Sequence, residues 1–307
     1  MTDIILITGF FGAGKTTFLN RLIDYYTSKQ MRIGIILNEF GEINIDKTLI
    51  WTTDEYQLIE INNGSIFCSC LQSVFVDGLK HYARNPVDVL LIETSGFADP
   101  SGMCSIIEAI NKNTGNVFHY LHSICIVDCF HFLTLIESVA VMEKQIGGCN
   151  IVVMNKTDLV DDRETEAVSG RIRKIDSSAM IYPAVNADIE LDILNLEDKF
   201  PAAQKRTALC LNTPSYRPDT FYLTGDNRLR LSQFTDLMNN VKGKAYRIKG
   251  YWNLAEGLYF FESINGIVNL RKVIGRKQHK NGIVFVYQHD HDISSALMGF
   301  KKTYLTT

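Results

Sequence analysis

A doubly wound α/β sheet followed by a smaller α+β domain is the fold this sequence predicts, on three observations. Short apolar runs recur at residues 4–7, 33–37, 89–92, 124–127 and 151–154. Each is continuous rather than alternating, the mark of strands buried on both faces of a parallel sheet. Helical patterns fall between most of these runs. The first run also leads directly into a glycine-rich turn, residues 9–16, and then into a helical stretch, 17–28, with Phe18, Leu19, Leu22 and Ile23 on one side.

Each element follows in order along the chain. Residues 161–174 read as a surface helix, with Asp161, Asp162 and Glu164 early and Arg171, Arg173 and Lys174 late, charges that complement the helix dipole. The texture changes around residues 212–218, so the chain is expected to divide into a nucleotide-type domain over 1–205 and a second domain over 213–307. Beyond that boundary, 231–241 reads as a helix, 246–254, 258–263, 267–273 and 283–287 as strands, and 293–301 as a closing helix.

Composition limits the function. A chain of 307 residues and 34.8 kDa is comfortable for two domains. Thirty-one basic against 34 acidic residues leave a net charge of −3, which argues against a protein whose main work is gripping nucleic acid. No apolar run approaches the roughly 18 residues that span a bilayer, and the start, Met1-Thr2-Asp3, has no basic segment of the signal-peptide type. Seven cysteines, one close pair (Cys68, Cys70) and five scattered, do not form a disulfide framework. A cytoplasmic location, with neither nucleic acid nor membrane as partner, is therefore expected.

Three motifs carry chemistry. Gly9 to Thr16 fits G-x-x-x-x-G-K-[ST] between a buried strand and a helix. Backbone N–H groups from Gly9, Gly12, Ala13, Gly14 and on through Thr17 can turn toward phosphate oxygens. Lys15 reaches the β and γ phosphates, and the Thr16 hydroxyl binds Mg²⁺. The run 88–96 ends a buried strand in Glu93, followed three residues later by Gly96. Glu93 is expected to hold Mg²⁺ through water or to orient the attacking water, and the Gly96 N–H to sense the γ phosphate. Asn155-Lys156-Thr157-Asp158 follows the strand at 151–154. A carboxylate at Asp158 accepts both donors on guanine's Watson–Crick edge, a pair adenine does not present, so GTP is favoured over ATP. Lys156 lies along the base and Asn155 ties this loop to the phosphate loop. Val185 and Asn186 fall where another loop touches the base through its backbone.

Further along, Asn38-Glu39-Phe40-Gly41-Glu42 and Asn62-Asn63-Gly64 lead to Cys68-Ser69-Cys70, Glu93 to Pro100 reads Glu-Thr-Ser-Gly-Phe-Ala-Asp-Pro, and Tyr246 to Gly250 reads Tyr-Arg-Ile-Lys-Gly. Together with the phosphate loop and Asn-Lys-Thr-Asp, these segments resemble the CobW-like metallochaperone GTPases, relatives of the nickel-insertion GTPases. The resemblance covers nearly the whole chain. It implies a P-loop NTPase fold of the SIMIBI class and slow GTP hydrolysis coupled to transition-metal delivery. The metal implied is Zn²⁺ or Co²⁺, and the partner is a client metalloprotein or a cobalamin or metal-cofactor pathway protein. A homodimer is left open.

One departure matters. The family's Cys-x-Cys-Cys directly follows Asn-Gly; here, in register with Asn63-Gly64, stand Ser65, Ile66, Phe67 and Cys68, with Cys70 just beyond. Two thiolates can bind a soft or borderline ion, with Glu39, Glu42, a histidine or a partner completing the shell. The lost thiols motivate a rival, a GTP-dependent activation module that docks on a metalloenzyme without carrying metal. A P-loop kinase acting on a small molecule is the third reading, opposed by Asn155 to Asp158. His119, His122 and His131 read as surface or satisfied histidines, with metal ligation as the alternative, and His289 with His291 as an exposed loop, with a weak metal-loading site as the alternative. Arg271, Lys272, Arg276, Lys277 and Lys280 read as a solvated basic face with docking of an acidic client as the alternative.

Overall fold

The structure, a computed structural model, describes residues 1–38, 56–61, 72–195, 218–225, 229–241, 243–264, 266–273, 281–287 and 293–304. Glu39, Glu42, Cys68, Cys70, the interval between residues 205 and 213, His289, His291, Arg276, Lys277 and Lys280 lie outside the described residues.

Two compact units follow one another, each with its own sheet. The first contains β1 (Thr2–Thr8), α1 (Lys15–Ser28), β2 (Ile33–Asn38), β3 (Tyr56–Ile61), α2 (Gln72–Arg84), β4 (Val89–Glu93) and α3 (Met103–Thr114). It continues through β5 (Phe118–Asp128), α4 (Cys129–Leu135), α5 (Ala140–Gly147), β6 (Ile151–Asn155), α6 (Asp162–Ile175) and β7 (Met180–Pro183). The strands form one seven-stranded sheet in the order β3-β2-β4-β1-β5-β6-β7, and every pairing is parallel.

The continuous apolar runs have their cause in this layering. In β1, Ile5 and Ile7 enter a core with Phe18, Leu19, Leu22 and Ile23 of α1. Ile4 and Leu6 point the other way, into a core with Phe75 and Leu79 of α2 and Met103 and Ile107 of α3. Side chains alternate between faces, and both faces are covered, so the run from Ile4 to Ile7 is apolar at every position. The helix expected at 161–174 is α6, started by a capping box between Asp161 and Glu164.

The second unit contains β8 (Asp219–Leu223), α7 (Leu231–Val241), β9 (Ala245–Leu254), β10 (Gly257–Ile264), β11 (Ile267–Lys272), β12 (Gly282–Tyr287) and α8 (Ile293–Tyr304). Its sheet runs β11-β10-β9-β12-β8 and is antiparallel throughout. Ile248, Trp252 and Leu254 of β9 face a core with Phe234 and Leu237 of α7 and Ile293 and Leu297 of α8. No described helix is long and apolar enough to cross a membrane.

On the other face of β9, Lys249 is 3% exposed. Burial lowers its pKa to about 8, with Arg271 acting in the same direction and Glu262 opposing. The sign follows. Below about pH 8 the ammonium is charged in both folded and unfolded chains, so its burial is a standing cost. Between about 8 and the ordinary 10.5 the unfolded chain holds a proton that the folded chain has released, so this group adds stability as pH rises. The full window is worth roughly 3 kcal/mol. Lys249→Met is accordingly expected to resist urea better than the parent at pH 7 by roughly 2–3 kcal/mol, with the gap closing toward pH 10. Trp252 fluorescence in a Trp51→Phe background reads the transition. A gap that does not change with pH contradicts the expectation.

Candidate functional site

The carboxyl ends of the central strands β4, β1, β5 and β6 bring the sequence motifs to one edge of the sheet, where α/β folds bind ligands. The turn after β1 is made possible by positive φ angles at Gly9 (138°), Gly12 (71°) and Gly14 (109°). Gly14 then opens α1 as its N-cap residue, with no side-chain cap, so the first-turn amides remain available to an anion. Lys15 is buried, and its Nζ donates to the Phe10 carbonyl at 3.1 Å, folding back along the loop.

The Thr16 hydroxyl donates to Glu93 Oε1 at 3.0 Å, and Glu93 is buried at the end of β4. An alcohol and a carboxylate held this close form a hard, all-oxygen donor pair of the kind Mg²⁺ selects. Beyond Glu93, Thr94 N donates to Ile7 O at 3.0 Å, keeping this loop beside β1. The Gly96 and Ala98 carbonyls both accept from buried Gln145 of α5 at 3.1 Å. Phe97 then meets Phe10 and Phe11 of the phosphate loop, with ring centroids 5.7 and 6.2 Å apart.

Asn155 joins the phosphate loop to the base-side turn. Its Nδ2 donates to Ala13 O at 2.8 Å, and its Oδ1 accepts from Ala187 N at 2.7 Å. Thr157 is tied to Ala184 O through both its amide, 3.2 Å, and its hydroxyl, 3.0 Å. Asn186 and Ala187 take consecutive left-handed conformations, φ 53° and 55°, which turn the chain so that the Ala187 amide points back at Asn155. Arg21 of α1 fixes the same turn, donating to Asn186 O at 2.9 Å and to Asp188 at 2.8 Å. Asp158 and Val185 are exposed beside it.

Lys156 has a partner no motif indicates. Its φ of 64° is left-handed, and its Nζ meets Asp128 Oδ2 at 2.7 Å. Burial opposes a charge on Asp128, but the His131 hydrogen bond and the Lys156 ammonium outweigh it and hold the carboxyl below its usual range.

The histidines expected to be satisfied are so. His119 meets Asp3 at 2.9 Å, His122 meets the Leu194 carbonyl at 2.8 Å, and His131 meets Asp128 at 2.8 Å. Among the described residues no three His, Cys, Asp or Glu side chains gather to hold a metal ion. The sequence singles out the glycines, Lys15, Thr16, Glu93, Asn155 and Asp158 as candidates, and the structure adds Asp128, Gln145 and Ala187 as their hydrogen-bonded neighbours. Asp128 ends a buried strand just as Glu93 does, a signal present in the sequence; Gln145 and Ala187 carry none.

With this geometry in place, residues 3–183 match the family described as CobW/HypB/UreG, nucleotide-binding domain. The chain is 31% identical over 198 residues to the zinc chaperone YjiA of Escherichia coli, covering 62% of this chain and 60% of that one. It is 26% identical over 228 residues to the zinc-regulated GTPase metalloprotein activator 1 of Dictyostelium discoideum, covering 62% and 48% respectively. These alignments thus span between about half and three fifths of the relatives' length. A crystal structure of Zn(II)-bound YjiA GTPase from E. coli aligns over 97% of this chain and 98% of that one, with a TM-score of 0.49 and 20% identity.

Proposed function

Because the chain belongs to the CobW/HypB/UreG family through residues 3–183, we propose that its first unit binds GTP with Mg²⁺ and hydrolyses it slowly. The cycle would be coupled to handing a transition metal to a client metalloprotein or to a cobalamin or metal-cofactor pathway protein. One observation carries the nucleotide part: the single buried side chain of Asn155 holds the phosphate loop at Ala13 and the base-side turn at Ala187. A purine nucleotide needs both loops at once, and little else explains why a buried amide should join them.

The roles follow from this arrangement. Amides of Gly9, Gly12, Ala13, Gly14, Thr16 and Thr17 surround the phosphates, and Lys15 moves its ammonium from the Phe10 carbonyl to the β and γ oxygens. Thr16 and Glu93 would hold Mg²⁺, which supplies positive charge against the phosphate oxygens. Gly96, in a loop steadied by Gln145, offers its N–H to the γ phosphate. Asp158 takes the guanine edge, with Val185 and Asn186 lining the base. The motifs supply no obvious water-positioning glutamine or arginine finger, which is why turnover is expected to be slow.

The metal part rests on the relatives' names and on Glu39, Glu42, Cys68 and Cys70. Zinc leads, with cobalt second. Ser65 and Phe67, where the family carries thiols, favour the alternative of an activator that carries no metal. Titrating Zn²⁺ into protein loaded with GDP or with a non-hydrolysable GTP analogue separates the two. Delivery predicts affinities at least tenfold apart, abolished in Cys68→Ser/Cys70→Ser. Equal affinities end the coupling, and client activation that survives the double substitution establishes the alternative.

A further inference from the structure

We propose that Asp128 is a positioning residue for purine recognition, acting through Lys156 without touching the nucleotide. The inference rests on the guanine-nucleotide reading above and adds to it a residue outside every motif.

The geometry comes from the sheet. Asp128 ends β5 directly opposite Asn155 in the parallel register with β6. It therefore stands at the same edge as the base-side turn, 28 residues away in sequence. Its two oxygens are divided. Oδ1 accepts from Phe130 N at 3.1 Å and caps α4, while Oδ2 takes Lys156 Nζ at 2.7 Å and His131 Nδ1 at 2.8 Å. A helix cap needs one oxygen only. The second oxygen, on a side chain 10% exposed, holds the lysine.

The effect on Lys156 is pre-organisation. A free lysine side chain carries about 2 kcal/mol of rotamer entropy, and ordering it at the moment of binding weakens affinity. Here both ends of the side chain are set beforehand. Its backbone is fixed in the left-handed region between Asn155 and Thr157, each hydrogen-bonded, and its ammonium is fixed at Asp128. The methylene stem is held between those two fixed ends, ready to flank a purine taken by Asp158. The charge also stays near the base face, where an ammonium is favourable.

The test is a double-mutant cycle on the full chain, reading the Kd of GDP with Mg²⁺ by calorimetry, with inorganic pyrophosphate as the probe of the phosphate cradle alone. Asp128→Asn keeps an oxygen for the α4 cap and removes the charge that fixes the lysine. It is expected to weaken GDP about tenfold, as is Lys156→Met, and the double variant is expected to be no weaker than either single. Pyrophosphate affinity of Asp128→Asn stays within about twofold of the parent's. If Asp128→Asn does not fold, Asp128→Glu, which keeps the charge and displaces it by one methylene, is expected to show the same loss for GDP and none for pyrophosphate. Additive losses in the cycle, or an equal fall in pyrophosphate affinity, overturn the inference. A parent protein that binds pyrophosphate but not GDP overturns the nucleotide reading itself, and this inference with it.

Discussion

Gly14→Ala is expected to yield a folded protein whose GDP affinity is at least 100-fold below the parent's. Two costs combine. Gly14 has φ 109°, and a Cβ there would stand 2.4 Å from Asn155 Nδ2. The backbone strain of a non-glycine residue at such an angle is of order 1–3 kcal/mol. The contact forces Asn155 aside, and with it go the bonds to Ala13 O and Ala187 N, each buried and worth roughly 1–3 kcal/mol when broken. The side chain can move, so the sheet survives while the joint between the phosphate loop and the base-side turn does not. Gly9 provides the contrast. Its φ is 138°, and a Cβ would lie 2.2 Å from the Ile126 carbonyl oxygen, which is backbone of β5 and has nowhere to go. Gly9→Ala is therefore expected to prevent folding or to lower the thermal midpoint further than Gly14→Ala does, because the blocking atom is backbone in one case and a movable side chain in the other. Calorimetric titration and thermal denaturation distinguish the two. Parental GDP affinity in Gly14→Ala contradicts the cradle as described.

Which elements were legible in the sequence follows from where they sit. The central strands β1, β2, β4, β5 and β6 are covered on both faces and spell continuous apolar runs. Strands β3, β7 and β8 are sheet edges. Residues such as Gln57 and Glu60 in β3, or Asp219 and Thr220 in β8, break the apolar signal there, because an edge strand has water on one side. Edge strand β11 is legible nonetheless, because Ile267, Val268 and Leu270 keep strand character although the first two are exposed. The site divides in the same way. The phosphate loop, Glu93 and Asn155 to Asp158 are contiguous strings whose chemistry depends on near neighbours. Asp128 acquires its role from a strand partner, Gln145 from a loop 49 residues away, and Ala187 from a backbone amide that any residue type would supply. Asp128 carries a local signal, an acid that ends a buried strand, but its partner, like those of Gln145 and Ala187, is set by the parallel register and the crossovers. The resemblance to the CobW-like GTPases was legible from the motif set, and residues 3–183 carry the family match.

Asp158→Asn is expected to move the preference from guanine to xanthine nucleotides. The four residues of the base-side turn are used differently. Asn155, Lys156 and Thr157 are each committed to protein partners, whereas Asp158 is exposed in the first turn of the 3₁₀ segment Thr157–Leu159. Its carboxylate is the acceptor left to face a ligand. Guanine offers two adjacent donors, the ring N1–H and the exocyclic amine, and a carboxylate accepts both. Charge-assisted bonds contribute about 1.5–3 kcal/mol each, so replacing the pair with one acceptor and one opposed donor is expected to weaken GDP roughly 10²–10⁴-fold. Xanthine keeps N1–H and carries a carbonyl oxygen where guanine has the amine. An asparagine presents an oxygen to the first and an N–H to the second, so xanthosine diphosphate should bind the variant more tightly than GDP does, the reverse of the parent. Pyrophosphate binding, which involves only the loop at Lys15, stays unchanged in both. Competition titrations of the three ligands against a fluorescent nucleotide read the whole pattern. If Asp158→Asn binds GDP within about threefold of the parent, the exposed carboxylate is not the reader of the base, and the guanine specificity assigned to this turn is wrong.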